Sequence, residues 1–161
     1  MGDETYSVKG VAERIAYKGD ADEIRKIIRQ LRHWTNADLL TPLGEKHTGT
    51  GVSRQYDADE VRKAAILLEL SRYGVTVEML EGFDEWTSLL RGTDRWKKAA
   101  EGKGEYFLQM AWEPGDDGGS VWTPNLTHGL LVSKEMNRRR DFTLVSAIII
   151  NATTVFERIR F

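Results

Sequence analysis

The chain has 161 residues, 40% of them hydrophobic, enough for one ordinary domain or two small ones with a real core. With no cysteine it can make neither a disulfide nor a thiolate metal site, and a formal charge of −2 excludes a uniformly basic coat, so any contact with nucleic acid must come from charge placed locally. The N-terminal MGDETYSVKG lacks an apolar signal core and the longest apolar run is too short to span a bilayer, so a cytoplasmic protein with no membrane partner is expected.

Ser7 is placed to cap a short helix whose Val8, Val11, Ala12 and Ile15 repeat at i, i+3, i+4 and i+7. Tyr17 to Gly19 form a turn, and Asp20 with Glu23 three residues later has the pattern of a capping box that opens a second helix. Its Ile24, Ile27, Ile28 and Leu31 make an apolar stripe. The opposite face is cationic: Arg25, Arg29 and Arg32 recur about one turn apart, with Lys26, Gln30 and His33 beside them. A helix that reads the major groove needs such a face, since arginine grips phosphate or guanine and glutamine suits adenine. A merely solvated basic face has the same pattern, so the neighbouring segments carry weight.

Trp34 ends this helix and is expected to pack at its junction with the following segment. Pro42, among Leu39, Leu40 and Leu43, bars further helix, and a glycine-rich hairpin over residues 44–57 follows. Its Lys46, His47 and Arg54 are candidate phosphate donors. Asp57 and Glu60 repeat the capping pattern before a helix carrying Val61, Ala64, Ala65, Leu68 and Leu70, which Gly74 stops. Thr76 is placed to cap a short helix with Val77, Leu80 and Phe83, and residues 84–100 read as helix interrupted at Gly92.

The order of these pieces resembles the MerR-type winged-helix regulators. The residues that carry the likeness are Leu31, Arg32, Trp34, Leu39, Leu40, Pro42, Arg54, Tyr56 and Asp57: a reading helix ending in an aromatic, a leucine–leucine–proline turn, and a wing closing on an arginine and a tyrosine. The resemblance covers roughly the first half of the chain. It implies a winged helix-turn-helix that binds double-stranded DNA as a homodimer, and it adds Tyr56 to the candidate DNA contacts. The chain departs from the family in lacking a long apolar heptad after the DNA-binding part, so dimerisation must lie elsewhere.

From residue 104 the period changes to two. Tyr106, Leu108, Met110 and Trp112 alternate, PGDDGG (114–119) is a turn, Val121 and Trp122 are the return strand, and residues 130–132 a further one after Pro124. Residues 142–150 are strand-like, and 152–161 fit either a strand or a helix capped by Asn151. Phe142, Leu144, Ile148, Ile150, Val155 and Phe156 offer more apolar surface than a small sheet should hide, which marks them as a candidate dimer interface. Tyr106, Trp112 and Trp122 could line a pocket for a small-molecule effector or fill a core.

His33, His47 and His128 lack partners at metal-ligand spacing, and no nucleophile elbow or phosphate-cradling loop is present, so neither cofactor nor enzymatic activity is expected. Asp116 with Asp117, and Arg138 to Arg140, read as solvated turns. The expected fold is α+β: a winged helix-turn-helix DNA-binding domain at 4–82, a linker helix region at 83–103, and a small β-rich dimerisation or sensor domain at 104–161. The expected function is sequence-specific transcriptional regulation by a homodimer on a palindromic operator. A phage excisionase-like architectural DNA binder, and an adaptor whose basic helix faces an acidic protein, are the alternatives.

Overall fold

The computed structural model describes residues 4–44, 53–80, 82–114, 120–128, 146–159 and 161. The protein is α+β and forms two compact units, one of residues 1–84 with 158–161, the other of residues 85–157. The division falls inside a helix expected to be a linker, and the last residues of the chain belong to the first unit.

In the first unit, strand β1 (Tyr6–Ser7) leads into helix α1 (Val8–Ile15), α2 (Ala21–Asn36), β2 (Gln55–Tyr56) and α3 (Ala58–Arg72). Ser7 caps α1 by accepting the Gly10 N–H at 3.1 Å, and Val8, Val11, Ala12 and Ile15 are buried as their spacing requires. The buried stripe of α2 is turned slightly from the one expected. Ile27, Leu31, Trp34 and Thr35 lie in the core, whereas Ile24 and Ile28 are only half-buried, because a stripe extended to Trp34 and Thr35 centres on i, i+4, i+7 and i+8. Strands β1 and β2 pair antiparallel, Tyr6 opposite Tyr56 and Ser7 opposite Gln55. The Leu43 N–H also donates to the Gln55 carbonyl at 2.7 Å, which brings together the two ends of segment 44–54.

Both expected capping boxes form by half. Asp20 and Asp57 accept the N–H groups of Glu23 and Glu60 at 2.8 and 2.7 Å, but the glutamates do not return the bond to their caps. Glu60 turns inward instead. Its Oε1 lies 2.9 Å from the ammonium of Lys63, which is fully buried, and its Oε2 accepts the Thr41 N–H at 3.0 Å, tying the turn at Pro42 to the start of α3. Lys63 also pairs with Asp84. Burial holds the Lys63 pKa below its ordinary value, and the hydrogen bond and charge of Asp84 oppose that shift. Helix α3 stops at Gly74, whose φ of +79° lets the Val75 N–H reach back to the Leu70 carbonyl at 3.2 Å.

A 3-10 turn at Glu78–Leu80 then precedes helix α4 (Phe83–Arg91), so Phe83 starts a new helix rather than extending the one expected from Thr76. In the second unit Thr93 caps α5 (Asp94–Ala100), accepting the Trp96 N–H at 3.3 Å. Strand β3 (Tyr106–Pro114) is central, with β4 (Ser120–His128) and β5 (Ser146–Asn151) antiparallel on either side. Leu108 lies opposite both Leu126 and Ile150, and all three are buried. Strand β4 runs straight through Pro124, where the sequence suggested a break; proline lacks only a donor and is tolerated in a strand that pairs on one side. Helix α6 (Ala152–Glu157) settles the ambiguous C-terminus: Asn151 Oδ1 accepts the Thr154 N–H at 3.0 Å. Trp96 of α5 meets Phe156 of α6 edge-on at 5.0 Å. The strand expected at 130–132, the start of the one expected at 142–150, and the turns at Asp116–Asp117 and Arg138–Arg140 lie outside the described residues. Among the described residues no helix is long and apolar enough to cross a membrane.

One buried pair ties β2 to α2. Thr35 Oγ1 gives its proton to the Leu31 carbonyl at 2.8 Å, so the Tyr56 hydroxyl, also at 2.8 Å, must be the donor to Thr35. Tyr56→Phe leaves every buried donor satisfied and is expected to cost about 0.5–1.5 kcal/mol, whereas Thr35→Val strands the Tyr56 O–H and should cost about 1–3 kcal/mol. Urea unfolding of the two variants checks the order.

Candidate nucleic-acid interface

Helix α2 begins where one carboxylate collects three backbone donors. Glu23 accepts the N–H groups of Tyr17 at 3.2 Å, Lys18 at 2.7 Å and Gly19 at 2.9 Å, so the whole α1–α2 turn is folded around its side chain. Gly19 makes this possible with a φ of +74°, which points its N–H back toward α2. Burial alone would raise the Glu23 pKa, but the donors from Gly19, Lys18 and Tyr17 together outweigh it and hold the carboxyl below its ordinary range. Glutamate three residues after a cap was visible in the sequence; its choice of the turn rather than the cap was not, since that depends on the backbone of residues 17–19.

At the other end α2 stops in a reversed turn. The Leu39 N–H reaches the Trp34 carbonyl at 2.9 Å and the Asp38 N–H the Thr35 carbonyl at 3.3 Å, with Asp38 at φ +59° where glycine is the usual occupant. Trp34, Leu39 and Leu40 are buried beneath this turn, as the leucine–leucine–proline pattern leads one to expect.

With the inward face fixed at both ends, the outward face is determined. Arg25, Lys26, Arg29, Arg32 and His33 are all exposed. From Ile24 to Asn36 the helix carries four Lys or Arg residues and no Asp or Glu, so over about three turns the only acid on this face is Asp22, before that stretch. Arg25, Lys26, Arg29 and Arg32, with Ile28 between them, line a shallow hollow of about 530 Å³. Asp22 sits at its N-terminal edge and pairs with Arg25. Arg29 and Arg32 have no ion-pair partner among the described residues. Arg54 is drawn to the far end of the same helix, where its Nη2 donates to Asn36 Oδ1 at 3.1 Å.

Other expected site residues are placed differently. Gln30 is half-buried and its amide donates to Ser71 Oγ of α3 at 3.3 Å, so it serves the packing of α2 on α3. Tyr56 is 1% exposed and its hydroxyl is committed to Thr35, which corrects its assignment to a surface contact: it opposes Tyr6 in the β1–β2 pair and faces the core. Lys46 and His47 lie outside the described residues. Ile150, Val155 and Phe156, assigned to a dimer interface, are instead core of the second unit, because α5 and α6 cover the sheet and consume the apolar surplus that suggested an interface. Ile148 is half-exposed, and Phe142 and Leu144 lie outside the described residues. Tyr106 is buried against His128, and Trp112 and Trp122 are cross-strand partners in the β3–β4 register. Neither the Arg54–Asn36 bond nor the contacts of Arg158 with Tyr17 and Glu69 had a local signal in the sequence, since each joins residues distant in the chain. Comparison with models of known protein families and with curated proteins finds no match.

The Glu23 anchor has a pH signature. A carboxyl whose folded pKa is depressed contributes stability at neutral pH that is lost as pH falls through the folded value. Glu23→Gln should therefore be less stable than the parent at pH 7, and the gap should close as pH drops below the ordinary value of 4.5. Denaturant midpoints across that range give the comparison.

Proposed function

We propose that the protein binds double-stranded DNA, with α2 lying in the major groove and Arg25, Lys26, Arg29 and Arg32 as its contacts. The observation that carries this reading is the pairing of a mainly cationic face, bounded by Asp22 at its N-terminal edge, with an opposite face locked into a core. A helix about 10–12 Å across fits a major groove of similar width, and seven residues of rise set Arg25 and Arg32 about 10 Å apart along it. The charge is local, as it must be in a chain of net charge −2.

The turn between α1 and α2 makes the two a helix-turn-helix in this reading. Arg54, bonded to the end of α2, is the residue this reading assigns to a phosphate beside the groove. The order of these parts and the resemblance of residues 30–57 to MerR-type regulators favour sequence-specific transcriptional regulation over architectural DNA binding. One short reading helix covers too few base pairs for tight specific binding, so two copies on a palindromic site belong to the same proposal. With Ile150, Val155 and Phe156 inside the second unit, the interface must be drawn from other surface.

Arg29→Ala and Arg32→Ala should each weaken binding to a duplex selected from random sequence by about 1–3 kcal/mol, with little change in unfolding midpoint. Arg25→Ala should cost less, because Asp22 already shares its guanidinium. Parent affinity should also fall steeply with added salt. Fluorescence anisotropy titrations at several salt concentrations read all of these, and three variants that bind as tightly as the parent would overturn the assignment of α2.

A further inference from the structure

Tyr17, in the turn that starts α2, is held by a residue from the opposite end of the chain. The chain leaves the second unit at Glu157, the last residue of α6, and rejoins the first unit at Arg158. There the Arg158 guanidinium lies 3.7 Å from the centre of the Tyr17 ring and donates to the Tyr17 hydroxyl. Its other terminal nitrogen donates to Glu69 Oε1 at 2.7 Å, and the Tyr17 hydroxyl itself donates to that oxygen. Arg72 adds a second guanidinium over the ring at 4.0 Å. Beyond Arg158, Ile159 is buried and the Phe161 ring lies 5.8 Å from that of Tyr6, so the strap is fastened at more than one point.

This cluster and the Glu23 anchor act on the same few residues. Glu23 fixes the backbone of Tyr17, Lys18 and Gly19, and Arg158 with Glu69 fixes the Tyr17 side chain to α3. A planar guanidinium can stack on a ring and donate at two nitrogens together, which an ammonium cannot. We propose that Arg158 is a positioning residue for α2, holding the turn at Tyr17 from which the DNA-reading helix starts. The DNA part of this proposal rests on the function inferred above; the positioning of the turn does not.

Loss of Arg158 acts first on the turn at Tyr17; Val61, Ala64, Ala65 and Leu67, in the body of α3, are buried in the core.

Full-length Arg158→Ala, Arg158→Lys and parent protein provide the test, through amide hydrogen exchange and through binding to the selected duplex. In Arg158→Ala, exchange at Tyr17 to Glu23 should quicken at least about tenfold while residues 61–67 of α3 keep parent rates, a local opening well below global unfolding. Affinity for the duplex should fall about tenfold. Arg158→Lys keeps the charge without the planar fork and should restore part of both effects, which a loss of bulk alone would not. Parent-like exchange at Tyr17 to Glu23 in both variants would overturn the proposal, as would equal quickening across α3. If the parent binds no duplex the functional reading fails, and the exchange data still decide the positioning role. If the parent binds and Arg158→Ala binds equally well despite a loosened turn, the coupling to DNA is refuted and the functional reading stands.

Discussion

The rotation of α2 about its own axis is the constraint on which the rest of the first unit depends. A helix with an apolar side and a cationic side has meaning only if neither can exchange with the other, and burial fixes this. Ile27, Leu31 and Trp34 are each less than 5% exposed. Fully burying side chains of this size is worth about 1.5–3 kcal/mol apiece, so turning the helix by even a quarter would forfeit several kcal/mol. No surface ion pair on the other face could compensate, since exposed pairs contribute about 0–1 kcal/mol. The core therefore decides which side chains meet the outside, and the arginines take what is left.

The ends of the helix carry the same constraint along its length. Glu23 gathers the N–H groups of the preceding turn, and Asp38 closes the C-terminus in a left-handed conformation that any other β-carbon-bearing residue except asparagine adopts reluctantly. Between them, Gln30 to Ser71 and Thr35 to Tyr56 lash the middle to α3 and β2. Residues whose sequence setting suggested a surface role, such as Gln30 and Tyr56, turn out to be these lashings. Polar groups on a half-buried helix face are used first by the fold, and only those beyond its reach are free for a ligand.

Much of this was legible in the sequence. The caps at Ser7, Asp20 and Asp57 follow from residue type and position, and the exposed row at Arg25, Arg29 and Arg32 follows from period alone. Asn151 was one of two open possibilities for the C-terminus, and the bond it accepts from Thr154 decided for helix. What could not be read was anything that depends on partners far away in the chain. Glu60 looked like a capping box because its actual partners, Lys63 and Thr41, are revealed only when the Pro42 turn folds against α3. Val155 and Phe156 looked like interface because the sequence does not show that Trp96 and α5 return to cover them. Arg158 carried no local signal at all, being one arginine among many in a chain with 23 Lys and Arg residues.

The most direct measurement is a nuclear magnetic resonance titration of the isotope-labelled full-length protein with a duplex enriched from random sequence. If the outward face of α2 reads DNA, the largest shift changes will fall on Arg25, Lys26, Arg29 and Arg32 and on the turn at residues 17–20, they will fade as salt is raised, and Leu108 and Ile150 in the second unit's core will stay silent. Shift changes centred on the sheet of the second unit with α2 unaffected, or a footprint on α2 that salt does not weaken, would contradict the proposed reading helix.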